Sequence, residues 1–366
     1  MEKAEYKRVA VKIGSNVLTR KDGTPDITRM SALVDQIAEL YKNGVEVVMI
    51  TSGAVASGRS ELKHLAGKKM DEVSARQLYS AVGQAKLINR YYELFRDHGI
   101  VCGQILTTKE NFSTRQHYLN QKHCTEVMLE NGVIPIVNEN DTVSITELMF
   151  TDNDELSGMM ASMIGAQALI ILSNIDGVYD GDPSLPESQV ITDIYLDTAL
   201  DADNFIQVKK SSFGRGGMGS KYRISHKVAE EGIDVIIANG KRDNILPEII
   251  SGRRNVPYTM FHANSDTISG VKKWIAHSDG FAKGKVKVNQ GAYDALIAGN
   301  ASSLLAVGVT EIEGDFDKDD IVQVISPDDA VFAVGRVSVD ADKARSVIGK
   351  RGERPLIHYD FLYIFE

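Results

Sequence analysis

The chain has 366 residues, a length typical of two or three domains. Hydrophobic residues make up 43% and charged residues 25%, ordinary values for a globular protein with a sizeable core. The formal net charge of -9 argues against broad non-specific binding to nucleic acid or anionic membranes, which needs a positive field.

The N-terminal segment has no apolar stretch typical of a signal peptide, and no apolar run approaches the length of a transmembrane span. The two cysteines, Cys102 and Cys124, have neither CxxC nor Cys/His spacing, which favours reduced thiols over a disulfide framework or a zinc site. We therefore expect a cytoplasmic protein without a membrane partner.

Short runs rich in Val and Ile alternate with longer amphipathic segments as far as about Gly240. The predicted strands are Arg8–Gly14, Val45–Gly53, Val101–Thr108, Val133–Asn140, Ala168–Asn174 and Asp234–Gly240. The predicted helices are Met30–Lys42, Glu72–Phe95, Thr114–Glu130, Asn153–Ile164 and Ser220–Glu231, and glycine follows several of them. This alternation, with strands that are apolar nearly throughout, predicts an α/β sandwich with a mostly parallel sheet. In such sheets ligands bind beyond the carboxyl ends of the strands.

The pattern changes after about Ser278. Short strand-like runs are then separated by Gly and Asp turns, with little helical periodicity. The sequence therefore predicts a catalytic domain of residues 1–278 and a small β-rich domain of residues 280–366. The segment Asp266–His277 is predicted to be a connecting helix.

The first motif is VKIGSNVL, Val11–Leu18. A lysine late in a buried strand is costly unless its ammonium group reaches a site. Gly14 follows Lys12 by two residues, where a turn exposes backbone N–H groups that suit a phosphate. The alternative is a lysine on an edge strand that points to solvent.

The second motif is ITSGAVASGR, Ile50–Arg59, in which small residues follow a strand end. Small residues allow a ligand to approach the backbone closely. Tight packing between a helix and the sheet is an equally good interpretation.

The third motif, Val137–Gly158, contains polar residues on both sides of a hairpin-like excursion. Asn138, Glu139, Asn140 and Asp141 come at a strand end, and Thr151–Asp154 at a helix start. Helix capping explains some of these residues. The number of carboxylates and amides exceeds what capping needs. Such a cluster is suited to bind an ammonium group, to hold Mg²⁺ through water, or to fix lysines.

Two further stretches suggest a nucleotide site. LIILSNIDGVYDGDP, Leu169–Pro183, is a strand followed by a polar turn, and it either contacts a nucleotide or is an ordinary connection. GRGGMGSK, Gly214–Lys221, differs from the P-loop pattern G-x-x-x-x-G-K-[ST], because Ser220 precedes Lys221 and a polar loop precedes the glycines. We reject the P-loop interpretation. Glycines with a lysine at a helix start still favour a polyphosphate.

Taken in order, VKIGSNVLT, ITSGAVASGR, PIVNEND, FTDNDELS, IDGVYDGDP and GRGGMGSK resemble the motifs of the amino acid kinase family. The C-terminal GRVSVDADKARSVIGKRG resembles a PUA domain. The resemblance covers nearly the whole chain and implies a three-layer αβα sandwich with a mostly parallel sheet, followed by a PUA-like β-rich domain. One position departs from the family pattern: Asn174 stands where the family usually has Asp.

The resemblance is strongest to the family members that use ATP to phosphorylate the γ-carboxylate of L-glutamate, the first step of proline biosynthesis. It implies Mg²⁺ coordinated mainly by ATP and water rather than by protein ligands. It also implies feedback inhibition by L-proline, a homo-oligomer, and transient contact with a glutamyl phosphate reductase that consumes the labile acyl phosphate.

The same resemblance assigns roles to individual residues. Lys12 and Lys221 would neutralise the transferring phosphoryl group, and Asp154 would hold both lysines. The glutamate pocket would contain Ser52, Asp141 and Asn153, supported by Asn138 and Asp152. Gly14 and neighbouring backbone groups would donate hydrogen bonds to phosphate. The ATP-binding residues would be Lys12, Gly14, Ser173, Asn174, Arg215, Gly216, Gly217, Met218, Gly219, Ser220 and Lys221.

Two other functions compete with this one. The first is another kinase of the family, acting on N-acetylglutamate or uridylate, against which the acidic Asp141 favours a free amino acid. The second is RNA binding, because PUA domains often bind RNA. Acidic residues outnumber basic ones from Gly280 onward, a poor electrostatic match for RNA. A solvated surface is our preferred interpretation of the basic patch Lys343, Arg345, Lys350, Arg351 and Arg354.

Overall fold

A computed structural model describes residues 6–65, 69–144, 150, 152–196, 217–264, 270–276, 278–298 and 302–365. The chain folds into two units. One comprises Met1–Asn111 and Leu119–Thr267, and the other Phe112–Tyr118 and Ile268–Glu366. Among the described helices, none combines the length and apolar character that crossing a membrane requires.

The first unit is built on an eight-stranded sheet. Its strands are β1 (Arg8–Ile13), β2 (Glu46–Ile50), β3 (Val101–Thr107), β4 (Val133–Glu139), β5 (Ala168–Ser173), β6 (Asp193–Ile194), β7 (Asp234–Asn239) and β8 (Thr259–Phe261). Their order is β3-β4-β2-β1-β5-β7-β8-β6. Neighbours pair in parallel except β7 and β8, which are antiparallel. The prediction of a mostly parallel sheet is confirmed.

Helices connect these strands. They are α1 (Ser15–Leu18), α2 (Ile27–Lys42), α3 (Ala54–Glu61), α4 (Glu72–Asp97), α5 (Glu110–Ser113), α6 (Arg115–Glu130), α7 (Asn153–Ile164), α8 (Met218–Glu230) and α9 (Ile245–Ile250). Gly44, Gly132 and Gly232 follow α2, α6 and α8 with φ angles of 83°, 68° and 82°. This left-handed backbone favours glycine and ends each helix where the sequence predicts an end.

The helices cover both faces of the sheet. Val9, Val11 and Ile13 of β1 belong to a core cluster with buried residues of α2, α4 and α9. Side chains alternate between faces along a strand, so Lys12 lies on the opposite face, where α7 packs against β1 and β5. This is the predicted three-layer αβα sandwich. It explains why the strands are apolar nearly throughout, since both of their faces are covered.

The strand order creates a switch point at β1. The chain passes from β1 to β2 on one side and later returns to β5 on the other. Connections that diverge in this way leave a crevice beyond the carboxyl ends of the strands. Lys12, Asn138 and Ser173 lie at the ends of β1, β4 and β5, and Ser52 follows β2. Parallel pairing brings these residues to the same edge of the sheet.

The second unit contains a five-stranded sheet of order β10-β9-β11-β12-β13. Its strands are β9 (Gly284–Val288), β10 (Val309–Gly314), β11 (Ile321–Ile325), β12 (Val331–Arg336) and β13 (Leu362–Ile364). All neighbours are antiparallel except β9 and β11. The predicted β-rich C-terminal region is therefore confirmed as a sheet.

Three helices also belong to this unit, α10 (Gly270–Ala276), α11 (Gln290–Ile297) and α12 (Ala341–Val347). The described part of the predicted connecting helix is α10. The prediction of little helical structure after Ser278 is wrong for α11 and α12. Both are capped: the side chain of Asn289 accepts from Ala292 N, and that of Asp340 accepts from Lys343 N. Helices of seven or eight residues are too short to show a clear period in the sequence.

Candidate active site

A cavity of about 840 Å³ opens at the carboxyl edge of the eight-stranded sheet. This volume falls within the range of small-molecule sites. Its lining contains most of the predicted site residues: Lys12, Gly14, Ser52, Asn138, Asp141, Asp152, Asn153, Asp154, Ser173, Asn174, Gly217, Met218 and Lys221. Arg215 and Gly216 lie outside the described residues, as does the middle of the predicted excursion after Asp141.

Two lysines share one buried carboxylate in this cavity. The Nζ atom of Lys12 lies 2.6 Å from Oδ1 of Asp154, and that of Lys221 lies 2.9 Å from Oδ2. Burial of Asp154 opposes its ionisation, but the charges of Lys12 and Lys221 outweigh burial and lower the pKa of the carboxyl group. The three groups carry one net positive charge. Because β1 is a central strand and Lys12 is buried, the solvent-exposed alternative for this lysine is excluded.

Asp152 links the two helices that contain Asp154 and Lys221. It is the N-cap of α7, where Oδ1 accepts from the N–H groups of Asp154 and Glu155 at 2.9 and 3.0 Å. Its other oxygen, Oδ2, is hydrogen-bonded to the hydroxyl of Ser220 in α8. One carboxylate thereby fixes the first turn of α7 relative to the first turn of α8, and these turns contain Asp154 and Lys221.

The start of α8 differs from the prediction. The helix begins at Met218 rather than Ser220, and Gly217 is its N-cap without a side-chain hydrogen bond. Gly217 and Met218 line the cavity together with Lys221, whereas Gly219 and Ser220 are absent from the lining. The Ser220 hydroxyl instead contacts Asp152. Thus the start of a helix of 13 residues borders the cavity, an arrangement that suits an anion.

Gly14 joins two strands of the sheet. Its N–H donates to the carbonyl oxygen of Leu172 at 3.0 Å, and the contact of Gly14 and neighbouring backbone groups with phosphate stays a prediction. A Cβ atom at this position would lie 3.1 Å from the same oxygen and 3.8 Å from Nζ of Lys12. Glycine therefore keeps β1 and β5 close and leaves space beside the lysine.

The small residues of the second motif serve two purposes. Ser52, Gly53 and Ala54 line the cavity. Further along, a Cβ on Gly58 of α3 would lie 1.8 Å from the carbonyl oxygen of Tyr79, and a Cβ on Gly83 of α4 would lie 1.8 Å from that of Ala54. The two helices therefore cross in direct backbone contact. Tight packing is present, but it joins two helices rather than a helix and the sheet.

A network of amide side chains connects the predicted glutamate pocket. The Nδ2 group of Asn153 donates to Thr51 O at 2.8 Å, to the hydroxyl of Ser52 at 2.9 Å and to Oδ1 of Asn138 at 3.2 Å. Asn138 in turn donates to Oε1 of Gln84 in α4 at 2.8 Å. The structure thus brings Ser52, Asn138 and Asn153 together and adds Gln84, which the sequence analysis missed.

An acidic pair with one arginine occupies the same cavity. Nε of Arg76 in α4 donates to Oδ1 of Asp141 at 2.7 Å, and Nη2 donates to Oε2 of Glu139 at 2.9 Å and also to Asp141. Burial raises the pKa of Asp141, although Arg76 opposes this. Burial and the Asp141 charge raise the pKa of Glu139. When both acids are ionised, the cluster of Arg76, Glu139 and Asp141 therefore carries one net negative charge.

The residues after β5 form another side of the cavity. Ser173 is buried and Asn174 exposed, and both line the cavity. Two residues later, Asp176 accepts from Nε and Nη2 of Arg242 at 2.6 and 2.7 Å and from Asn239 at 3.0 Å. The hydrogen bond from Arg242 is the main reason why the pKa of Asp176 is lowered. These hydrogen bonds connect the turn after β5 to the end of β7 and the residues that follow it.

Comparison with known proteins places the chain in a family. Residues 7–239 match the amino acid kinase family, and residues 284–358 match the PUA domain. The chain is 62% identical over 362 residues to the glutamate 5-kinase of Bacteroides thetaiotaomicron, with 99% of each chain covered. It is 46% identical over 364 residues to that of Chlorobaculum tepidum, with 98% of each covered.

Among solved structures, a carbamate kinase from Giardia lamblia bound to AMP-PNP shares the fold. The TM-score is 0.53 at 16% identity, with 71% of this chain and 99% of that chain covered. The family match, the near full-length relatives and the shared fold agree. The chain therefore belongs to the amino acid kinase family, among its glutamate 5-kinases, and carries a C-terminal PUA domain.

Proposed function

We propose that this chain transfers the γ-phosphoryl group of ATP to the γ-carboxylate of L-glutamate, which yields L-glutamyl 5-phosphate and ADP in the first step of proline biosynthesis. The supporting observation is that one cavity contains both a cationic trio, Lys12, Asp154 and Lys221, and an acidic pair, Glu139 and Asp141. The trio suits a transferring phosphoryl group, and the pair suits an α-ammonium group.

The reaction needs positioning more than proton transfer. A carboxylate oxygen attacks the γ-phosphorus, the bond to the β–γ bridging oxygen breaks, and ADP leaves with that electron pair. The attacking carboxylate is already ionised at neutral pH, so no catalytic base is required. Lys12 and Lys221 supply positive charge where the phosphoryl oxygens pass, and Asp154 holds both ammonium groups in place.

The nucleotide is proposed to contact the residues after β5 and the start of α8. Ser173 and Asn174 line one part of the cavity, and Gly217 and Met218 line another. The N–H groups at the start of α8 suit phosphate oxygens. Arg215, Gly216, Gly219 and Ser220 stay predictions as ATP-binding residues. Asn174 lacks the charge of the aspartate that the family usually has there, so it can bind the nucleotide by hydrogen bonds alone.

Mg²⁺ is proposed to enter with ATP. In the part of the chain that the structure describes, no group of three or more His, Cys, Asp or Glu residues is arranged to hold a metal ion. Asp154, the buried carboxylate nearest the lysines, is already paired with both. These residues fit a metal whose ligands are mostly phosphate oxygens and water. When bound, Mg²⁺ would neutralise charge on the β- and γ-phosphates.

The acidic pair favours a free amino acid over an N-acylated one. The ammonium group of glutamate would supply the positive charge that Arg76, Glu139 and Asp141 lack, through a charge-assisted hydrogen bond to Asp141. An N-acetyl group is neutral, and its carbonyl oxygen would face carboxylates. Burying it there would leave Arg76 as the partner cation of both acids, so one negative charge would stay uncompensated.

The raised pKa values predict how substrate use varies with pH. Only ionised Asp141 and Glu139 attract the ammonium group, and burial raises the pKa of both. We expect kcat/KM for glutamate to fall on acidification at a pH above the ordinary range of carboxyl groups, since kcat/KM reports the free enzyme. Rate profiles for the wild type and Asp141→Asn test this. The variant should have a KM raised about 10- to 100-fold, as expected from losing a hydrogen bond to a charged group.

Stability provides a control for this prediction. A carboxyl group whose pKa is raised by folding binds more protons folded than unfolded, so its contribution to stability falls as pH rises through that pKa. Asp141→Asn should therefore unfold near neutral pH at the same temperature as the wild type or above it. The assignment of Asp141 is contradicted if Asp141→Asn has the KM of the wild type. It is also contradicted if the wild-type kcat/KM falls only in the pH range where ordinary carboxyl groups titrate.

Acyl-phosphate trapping tests the proposed function directly. Purified protein is incubated with ATP, Mg²⁺ and hydroxylamine, and with L-glutamate, N-acetyl-L-glutamate or L-aspartate in parallel. We expect hydroxamate with L-glutamate alone. Product with N-acetylglutamate would retain the fold and the phosphoryl chemistry but overturn the amino acid pocket, and no product with any acceptor would overturn the proposed activity.

The remaining proposals follow from the family. L-Proline is proposed to inhibit the enzyme, the chain to form a homo-oligomer, and the acyl phosphate to pass to a glutamyl phosphate reductase. We propose a cytoplasmic location and a division into a catalytic domain of residues 1–278 and a PUA-like domain of residues 280–366. RNA binding by the second domain is not favoured. In its basic patch, Arg345 is paired with Asp342 and with the carbonyl oxygen of Gly314.

A further inference from the structure

Arg76 is the cavity residue that contacts both members of the acidic pair. It belongs to α4, and its side chain is 17% exposed. Its guanidinium group donates to Asp141 through Nε and Nη2 and to Glu139 through Nη2. Glu139 is itself fixed, because Oε1 accepts from the hydroxyl of Ser144 at 2.9 Å and from Phe150 N at 3.0 Å. The guanidinium group is therefore held beside the site proposed for the α-ammonium group.

An amino acid substrate brings a second charged group to this position. Its α-carboxylate is attached to the same carbon as the ammonium group, so a cation is needed within reach of Asp141. The cationic side chains in the described lining are Lys12, Arg59, Lys63, Arg76 and Lys221. Lys12 and Lys221 are paired with Asp154, and Arg59 lies over the ring of Tyr79 at 5.6 Å. Arg76 alone among these five residues is hydrogen-bonded to Asp141.

We propose that Arg76 binds the α-carboxylate of the amino acid substrate while the α-ammonium group binds Asp141. When the substrate binds, its ammonium group replaces Arg76 as one of the cations paired with the two acids. The planar guanidinium fork then faces the substrate carboxylate, a geometry that arginine matches better than lysine. This inference rests on the proposed function of the same site, because it requires a free amino acid as the acceptor.

The α-amide of L-glutamate, L-isoglutamine, isolates this interaction. It keeps the α-ammonium group and the γ-carboxylate but has a neutral amide in place of the α-carboxylate. The measured quantity is the selectivity ratio, kcat/KM for glutamate divided by kcat/KM for the α-amide. We expect a wild-type ratio of about 10 to 100, the size of a charge-assisted hydrogen bond. In Arg76→Gln the ratio should fall at least tenfold towards unity.

The ratio distinguishes recognition from a merely structural role. Loss of Arg76 also changes the charge around Glu139 and Asp141, but both substrates carry the ammonium group, so that effect cancels in the ratio. Arg59→Gln is the matched control, since it removes the same charge from the same cavity without touching Asp141. Its ratio should equal that of the wild type. The proposal is overturned if Arg76→Gln keeps the selectivity ratio of the wild type, or if the ratio falls in Arg59→Gln instead.

A second variant and a measurement of wild-type activity complete the test of Arg76. If Arg76→Gln fails to fold, Arg76→Lys keeps a cation beside the acids and replaces it in the test. Its ratio should be lower than that of the wild type because a point charge lacks the fork, and an unchanged ratio overturns the proposal. Wild-type turnover of L-glutamate is measured first. Without it the proposed function fails, whereas turnover with an unchanged ratio refutes only the assignment of Arg76.

Discussion

Lys221→Ala is expected to lower kcat about 10²- to 10³-fold, as does removal of a single charge-stabilising donor in other enzymes. The KM for glutamate should change little, because the ammonium group of Lys221 is paired with Asp154, whereas Asn153 bonds to Ser52 and Arg76 bonds to Asp141. The cationic trio explains why the variant should still fold. Removing one lysine leaves Lys12 and Asp154 as a neutral pair with its 2.6 Å contact.

Steady-state kinetics with glutamate and ATP varied separately test this prediction. Lys109→Ala is the matched control, since Lys109 pairs at 3.0 Å with Glu155, the neighbour of Asp154, and is absent from the cavity lining. Loss of such a pair costs about 1 kcal/mol or less, and we expect kcat close to that of the wild type. A Lys221→Ala variant with near-normal turnover would show that the lysine has no part in phosphoryl transfer.

Asp154→Asn is expected to abolish most activity and to lower the free energy of unfolding by about 3–5 kcal/mol, the usual cost of removing one partner from a buried ion pair. Asp154 is fully buried, and its loss leaves two ammonium groups close together without a carboxylate. Thermal and denaturant unfolding measure the stability, and the trapping assay measures the activity. Wild-type stability or turnover in this variant would contradict the role of Asp154.

The pH dependence of stability gives a second measure of Asp154. The pKa of its carboxyl group is lowered by folding, so its contribution is present above the unfolded pKa and is lost as pH falls through the folded pKa. Asp154→Asn should lack this acid-dependent loss. Inorganic phosphate should also stabilise the variant more than the wild type, because an anion can take the place of the carboxylate between the lysines.

Asp176→Asn is the control for both measurements. Asp176 also pairs with a cation at the carboxyl edge of the sheet, but Arg242 is 39% exposed, and water can solvate its guanidinium group when the carboxylate is removed. The stability loss should therefore be well below that of Asp154→Asn, and phosphate should give no extra stabilisation. Equal losses in the two variants would show that the two lysines of the trio do not matter for the effect.

Most of the first unit could be predicted from the sequence because its strands are long apolar runs. The strands β1 to β5 and β7 were predicted within a few residues, since burial on both faces leaves a continuous Val and Ile pattern. The strands β6 and β8 contain two and three residues, too few for any pattern. The antiparallel pairing of β8 depends on contacts between distant segments, which local sequence does not encode.

The site was predictable to the extent that its residues follow strand ends. Lys12, Ser52, Asn138 and Ser173 do so, and parallel strands bring such residues to one edge. Arg76 and Gln84 lie instead within α4, where polar residues are ordinarily solvent-facing. Arg76 lines the cavity, and Gln84 accepts a hydrogen bond from Asn138, because α3 and α4 cross in backbone contact. Nothing in the local pattern of α4 indicates that crossing.

The strand order separates acceptor from donor. Of the residues proposed to bind the amino acid, Ser52, Asn138, Asp141 and Arg76 lie at or after the ends of β2 and β4 or on α4, on one side of β1. Most of those proposed to bind ATP begin after β5, on the other side. Asn153 and Asp152, at the start of α7, complete the amino acid pocket. Lys12 on β1 and Asp154 on α7 stand at the boundary. Substitutions around β2, β4 and α4 can therefore change which molecule accepts the phosphoryl group while the nucleotide half is left intact. Such a division makes the acceptor half the natural target for directed evolution towards new carboxylic acids.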